Sequence, residues 1–151
     1  MALPQIHAFY RFWFQWVDPL ILIPTIYALL FTPQVMLDAF IPPPLSAYNP
    51  NQAFLFHQLA AMYAFVTIML GVGLRVSKDI NVWRVIIGGV WVVDIAMLAS
   101  NYASLEQQGR LGALRSADWG NILFTALVTV IRSFFLAGVG VGKDRTRLKQ
   151  L

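Results

Sequence analysis

Four long apolar stretches, Phe9–Phe31, Gln52–Leu74, Val82–Ser104 and Trp119–Val141, set the terms on which this chain can fold. Each can span the ~30 Å hydrocarbon layer of a bilayer, which takes roughly 20 helical residues. The second stretch has no formal charge, and the others carry one or two each. Strict apolar–polar alternation is absent and the runs are too long for barrel strands, so helices are predicted. Composition agrees: of 151 residues, 58% are hydrophobic and only 12% charged, where a soluble domain uses about a quarter to coat its surface. The expected fold is an all-α integral membrane four-helix bundle, a single transmembrane domain over residues 1–151.

Lys and Arg set the expected orientation. Arg11, Arg75, Lys78, Arg84, Lys143, Arg145, Arg147 and Lys149 fall on one side, eight cations against Arg110 and Arg115 on the other. Both termini are therefore predicted to be cytosolic, with the basic tail as an anchor on an anionic leaflet. The first stretch lacks a basic start and a small-x-small cleavage site, so it reads as a span and not a signal peptide. The endoplasmic reticulum membrane is the default location. All eight prolines lie at or before Pro50 and all ten glycines at or after Gly71. Pro19 and Pro24 invite kinks in the first helix. Pro42–Pro44 and Pro50 stiffen a long loop expected to lie over the bundle as a cap. Gly88, Gly89 and the pair Gly138/Gly142 are expected to let helices approach closely.

Several function classes fall away. A net charge of +4 and a pI near 9.8 do not describe a nucleic-acid binder, because no Lys/Arg-rich run interrupts the body of the chain. Zero cysteines exclude disulfides, thiolate metal sites and a cysteine nucleophile. His7 and His57 lack metal-ligand spacing, and no Gly-x-Ser-x-Gly elbow exists, so no metal or cofactor is expected. No internal repeat points to a transporter and no pore-lining ring to a channel. The expected partners are a hydrophobic small-molecule substrate and the lipid bilayer, with a homo-oligomer left open.

Three ionisable residues fall well inside the spans. At a rise of 1.5 Å per residue, Asp18 and Asp94 lie ~14 and ~18 Å from one face, and Arg132 ~20 Å from the other. All three are expected in the middle of the bilayer, where each alone costs roughly 2.5–3.5 kcal/mol, and pairing is the obvious remedy. Helical spacing puts Arg11, Asp18 and Thr25 on one face of the first helix, and Asn121, Thr125, Thr129 and Arg132 on one face of the fourth. Asp94 aligns with Asn101, beside Tyr102, on the third. His57, with Ala60, Ala61 and Ala64, marks the second. These faces are expected to converge on a small cavity opening away from the cytosol, with Glu106, Arg110 and Asp118 at its mouth.

Two carboxylates and one guanidinium suffice for acid–base work on a neutral, lipid-soluble substrate. One protonated carboxyl donates to a leaving oxygen; the ionised one takes a proton from water or a hydroxyl. That division of labour suits epoxide opening, protonation-started cyclisation or double-bond isomerisation, and spacing alone does not choose. The bland alternative is that an Asp–Arg–Asp cluster merely holds helices in register.

The segments FYRFWFQWVDPL (Phe9–Leu20), NVWR (Asn81–Arg84), VVDIAML (Val92–Leu98), LEQQGRL (Leu105–Leu111) and DWGNI…TVIRSFFLAGVGVGK (Asp118–Lys143) resemble a family of small fungal four-helix membrane proteins. The resemblance covers nearly the whole chain. It implies fungal secondary metabolism: members act as epoxide hydrolases or cyclases in pyrone-polyene polyketide biosynthesis of the citreoviridin and aurovertin type. The family motifs match Asp18, Asp94 and Arg132, the three candidate catalytic residues. By role only, they parallel the Asp–Arg–Asp site of the soluble limonene-type epoxide hydrolases, whose fold is unrelated. His57, Asn101, Tyr102, Glu106, Asp118 and Asn121 are secondary, substrate-binding candidates, and Glu106 with Asp118 is an alternative acid–base pair nearer the interface. A sterol-isomerase-like or terpene-cyclase-like enzyme would need carbocation-stabilising aromatics, for which Trp91, Trp16 and Phe14 are available. A non-catalytic scaffold or lipid-binding protein would show a closed, dry, fully paired cluster.

Overall fold

A computed structural model describes residues 6–142; the basic residues Lys143, Arg145, Arg147 and Lys149 lie outside the described residues. Four helices are long and apolar enough to cross a membrane: α1 (Ala8–Phe31), α3 (Pro50–Val76), α4 (Ile80–Gln107) and α5 (Ser116–Leu136). A shorter helix, α2 (Pro33–Phe40), follows α1 directly. The described chain ends come together: His7 N–H donates to the Gly140 carbonyl at 3.0 Å. This terminal end also holds the α3–α4 turn. The other end, with α2 and the α4–α5 loop, is the capped end. Side chains such as Leu20, Phe31, Phe65, Val85 and Phe134 face outward and are exposed, an apolar exterior far beyond the patches of a soluble monomer.

Pro19 shapes α1. Just before it, Trp13–Val17 forms a wide π turn, and Asp18 N–H reaches back five residues to the Trp13 carbonyl. The extra residue rotates the remainder of α1 by about 100° relative to a regular helix of 3.6 residues per turn. Arg11 and Asp18 therefore do not share the face that their spacing predicts: Arg11 is exposed and Asp18 buried. A second wide turn, Met69–Gly73 in α3, packs against the first.

The apolar core gathers at the terminal end from Tyr10, Phe14, Leu70, Leu74, Trp83, Ile87, Val90 and Phe135. Phe14 and Phe135 meet edge-to-face at 5.4 Å, and Tyr10 stacks on Phe14 at 5.7 Å. At the capped end, α2 fulfils the expected cap. Pro33 at its first turn needs no N–H partner there. Its Asp38 accepts from Ser46 and Gln34, which ties the proline-rich segment back onto the helix.

Helix α5 stops at Leu136, five residues before the predicted end at Val141. Gly138 and Gly140 take φ of 84° and 71°, and the Val139 and Gly138 N–H groups turn back to the Phe134 and Phe135 carbonyls. Gly138 thus serves a helix stop and not the close helix packing expected of it. A Cβ at Gly89 would also meet no neighbour within 4 Å, whereas one at Gly88 would meet Leu136 Cδ2 at 3.9 Å.

Candidate functional site: a charge cluster bridged by Arg132

Asp18, Asp94 and Arg132 meet, as their depths predict. Each lies about one turn from a core residue on its own helix: Asp18 four after Phe14, Asp94 four after Val90, Arg132 three before Phe135. The helical repeat therefore sets all three directly above the aromatic core, pointing inward. Arg132 Nη2 donates to Asp18 Oδ2 at 2.5 Å, and Nη1 donates to Asp94 Oδ2. One guanidinium thus bridges carboxyls from two other helices. The three residues are only 4%, 6% and 3% exposed. The remaining guanidinium nitrogen, Nε of Arg132, is buried with no hydrogen-bond partner among the described residues. The cluster is paired, but not completely.

The polar stripe of α5 runs from the cluster toward the capped end. Thr125 and Thr129 are buried, with Thr129 Oγ1 donating to the Thr125 carbonyl at 2.7 Å, and Asn121 is half-buried under the cap. Asn101 of α4 reaches the same zone, its Nδ2 buried and unpartnered among the described residues. Where an open cavity is expected, the described residues leave little space. Phe40, Asn101, Leu105, Asp118 and Asn121 border a crevice of about 10 Å3, about the least that can hold one water.

The other candidates stand apart. His57, Tyr102 and Glu106 are exposed. The inward stripe of α4 passes through Asp94, Asn101 and Leu105, so Tyr102 and Glu106, each one residue further, rotate ~100° outward. On α3 the inward position is Ala60, and His57 lies to its side. Asp118 is buried but fully engaged. Arg110 Nη2 donates to its Oδ2 at 2.5 Å, and Arg115 Nη2 donates to its Oδ1 at 2.8 Å. Glu106 and Asp118 therefore do not form an acid–base pair. The hydrogen bond to Asp118 also raises the Arg115 guanidinium above its ordinary range.

Sequence reasoning missed the bolt that Arg115 makes. Its Nη1 donates to the carbonyls of Asp38 and Ile41 at 3.0 and 3.3 Å, and its Nη2 to that of Ala39 at 3.4 Å. Asn121 Nδ2 adds a bond to Ala39 O at 3.0 Å. A cation thus sits on the free carbonyls at the C-terminus of α2, where the helix dipole favours it. The sequence signal was two arginines, eight and three residues before the Asp118 of an acidic first turn, but the carbonyls that Arg115 binds lie more than 70 residues away. Of the aromatics weighed for cation chemistry, Phe14 is buried in the core below the cluster, Trp16 is exposed, and Trp91 Nε1 donates to Ser133 Oγ at 2.9 Å. Among the described residues no group of three or more His, Asp or Glu side chains is placed to hold a metal ion.

The class this defines is an all-helical protein with four helices long and apolar enough to cross a membrane, closed around a buried Asp–Arg–Asp cluster. Within it, the chain belongs to the family described as a domain of unknown function (DUF7704), whose model matches residues 3–142. No curated protein and no solved structure matches the chain.

Proposed function

We propose that this protein is an integral membrane four-helix bundle with cytosolic termini, resident in the endoplasmic reticulum, and that Asp18, Asp94 and Arg132 form an intramembrane acid–base site. The observation that carries the reading is Arg132 itself. It binds two carboxyls from two helices, yet its buried Nε donor has no partner among the described residues. Two carboxyls against one guanidinium leave one negative charge in excess, which a single shared proton balances. That leaves one acid and one base side by side, with a spare donor able to orient a substrate oxygen.

The reaction that uses all three is epoxide opening. The protonated carboxyl gives its proton to the epoxide oxygen as a C–O bond breaks. Water, or a hydroxyl of the same substrate, attacks the carbon and releases its proton to the ionised carboxylate. The product is a diol or a cyclic ether with a free hydroxyl, and the site has moved one proton from one Asp to the other. A long polyene epoxide suits a site reached from lipid, and the resemblance to fungal pyrone-polyene proteins supports that substrate class.

A second reading has its own observation. The cluster is closed, and the crevice under the cap admits no polyene. On this reading the cluster is a lock that sets the register of α1, α4 and α5, and any enzyme would have to open by displacing α2. Feeding an epoxidised polyene to membranes carrying the protein separates the two. Catalysis predicts water-addition or cyclised product, reduced by at least ~100-fold, the scale of a lost acid or base, in Asp18→Asn, Asp94→Asn and Arg132→Gln at matched protein levels. Unchanged turnover in all three variants would sink the site assignment. No turnover of any epoxide by the wild type leaves the lock.

A further inference from the structure

A much larger cavity opens at the terminal end, between the start of α1, the α3–α4 turn and the chain beyond α5. Its volume is about 790 Å3, within the ~300–1,000 Å3 range of small-molecule pockets. Arg11, Arg75 and Lys78 line it, and no carboxylate among the described residues does. No ion pair among the described residues uses any of the three. Asp79, next in sequence to Lys78, is committed to the start of α4, where its Oδ1 accepts from Asn81 N–H at 2.8 Å.

The walls of this cavity are fixed. Pro19 has no N–H, so the Gln15 carbonyl lacks the partner that a regular helix would supply four residues on. Arg75 Nη2 donates to that carbonyl at 2.8 Å, and its guanidinium lies 4.0 Å from the centre of the Trp16 ring. Gln15 Nε2 donates in return to Leu74 O at 3.0 Å. Trp83 Nε1 donates to Ser77 O at 2.9 Å and so holds the turn that presents Lys78. On the far side Gly140, at φ 71°, makes room: a Cβ there would lie 3.0 Å from Tyr10 Cε2.

We infer that this cavity binds the phosphate of an anionic phospholipid headgroup, held by Arg11, Arg75 and Lys78. Cations on α1, the end of α3 and the α3–α4 turn, with no carboxylate among the described residues lining the cavity, select for an anion, and guanidinium forks match phosphate oxygens. The same cavity has an apolar side, Ile6 and Ala8, which a free phosphate would leave unused and a glycerol backbone would cover. Its place at the ends of four membrane-length helices is headgroup level, whichever way the bundle faces.

The test uses the full chain in neutral detergent. Trp16 and Trp83 border the basic groups, so tryptophan fluorescence is titrated with dioctanoyl phosphatidate, dioctanoyl phosphatidylcholine and inorganic phosphate. Saturable binding of phosphatidate is expected. Arg11→Gln and Lys78→Gln should each weaken it about fivefold, as one cation near an anionic headgroup implies. Arg84→Gln, a cation of α4 that does not line the cavity, should leave it unchanged. Arg75→Gln removes a structural bond as well, so its fold is checked by thermal unfolding, and the other two variants decide. Equal binding by all variants, or an equal loss in Arg84→Gln, overturns the site in favour of diffuse surface charge. Equal binding of phosphatidylcholine, or competition by inorganic phosphate at the lipid's own concentration, overturns the anionic-headgroup assignment.

Discussion

Arg132 serves two carboxyls, and the charge count there decides what each substitution does. Arg132→Leu leaves Asp18 and Asp94 buried without their cation. Breaking a buried ion pair from one side costs about 3–5 kcal/mol, so unfolding in detergent should shift by that order. Neutralising all three, with Asp18→Asn and Asp94→Asn added, should recover much of the loss, because no charge remains unpaired. A single Arg132→Leu variant as stable as the wild type would show that the cluster contributes nothing to holding the helices. The trio was legible in the sequence because depth is a one-dimensional property: counting residues from the helix ends put all three at one level. Facing was legible only where the helix is regular. The Asn121–Thr125–Thr129–Arg132 stripe turns inward along regular α5. The shared face expected of Arg11 and Asp18 failed because a π turn lies between them. No sequence pattern shows that Arg132 Nε is left without an acceptor among the described residues.

At the scale of elements, the cap is what stands between the buried charges and the capped end. The proline-rich loop was legible as a cap, since Pro42–Pro44 and Pro50 leave it little freedom. Helix α2 was not: eight residues are too few for an apolar period to stand out. Nor was the means of attachment, because a side chain bonded to carbonyls more than 70 residues away leaves no local signature. Arg115 carries that attachment. Hydrogen bonds from a charged donor contribute about 1.5–3 kcal/mol. Arg115→Gln should therefore speed amide hydrogen exchange over Val35–Ile41 by ~10-fold or more, while exchange around Asp94 on α4 stays slow. Unchanged protection of α2 would mean that Ser46, Gln34 and Asn121 hold the cap without it. If substrate reaches the cluster by displacing α2, the same variant should also lower the KM of any epoxide turnover.

For the whole molecule, the four long apolar helices were the most legible feature, because the width of a hydrocarbon layer imposes a length that few other constraints mimic. The pairing of α1 along α3 and of α4 along α5 was not, since any of several arrangements buries the same inward stripes. Orientation rests on where the cations lie. Arg110 and Arg115, the two cations of the α4–α5 loop, are both bound to Asp118, whereas Arg11, Arg75 and Lys78 gather unpaired, among the described residues, at the terminal end. Lys and Arg near helix ends favour the cytosolic side, so the terminal end should face the cytosol. The lack of cysteine makes this directly measurable. Ala47→Cys lies exposed at the capped end and Asn81→Cys exposed at the terminal end. In sealed microsomes, whose outer face is cytosolic, an impermeant thiol reagent should label Asn81→Cys at once and Ala47→Cys only after permeabilisation. The reverse order would invert the bundle and put the basic cavity on the lumenal leaflet. Labelling of both before permeabilisation would mean that the four helices do not cross the bilayer at all, and the intramembrane reading of Asp18, Asp94 and Arg132 would go with them.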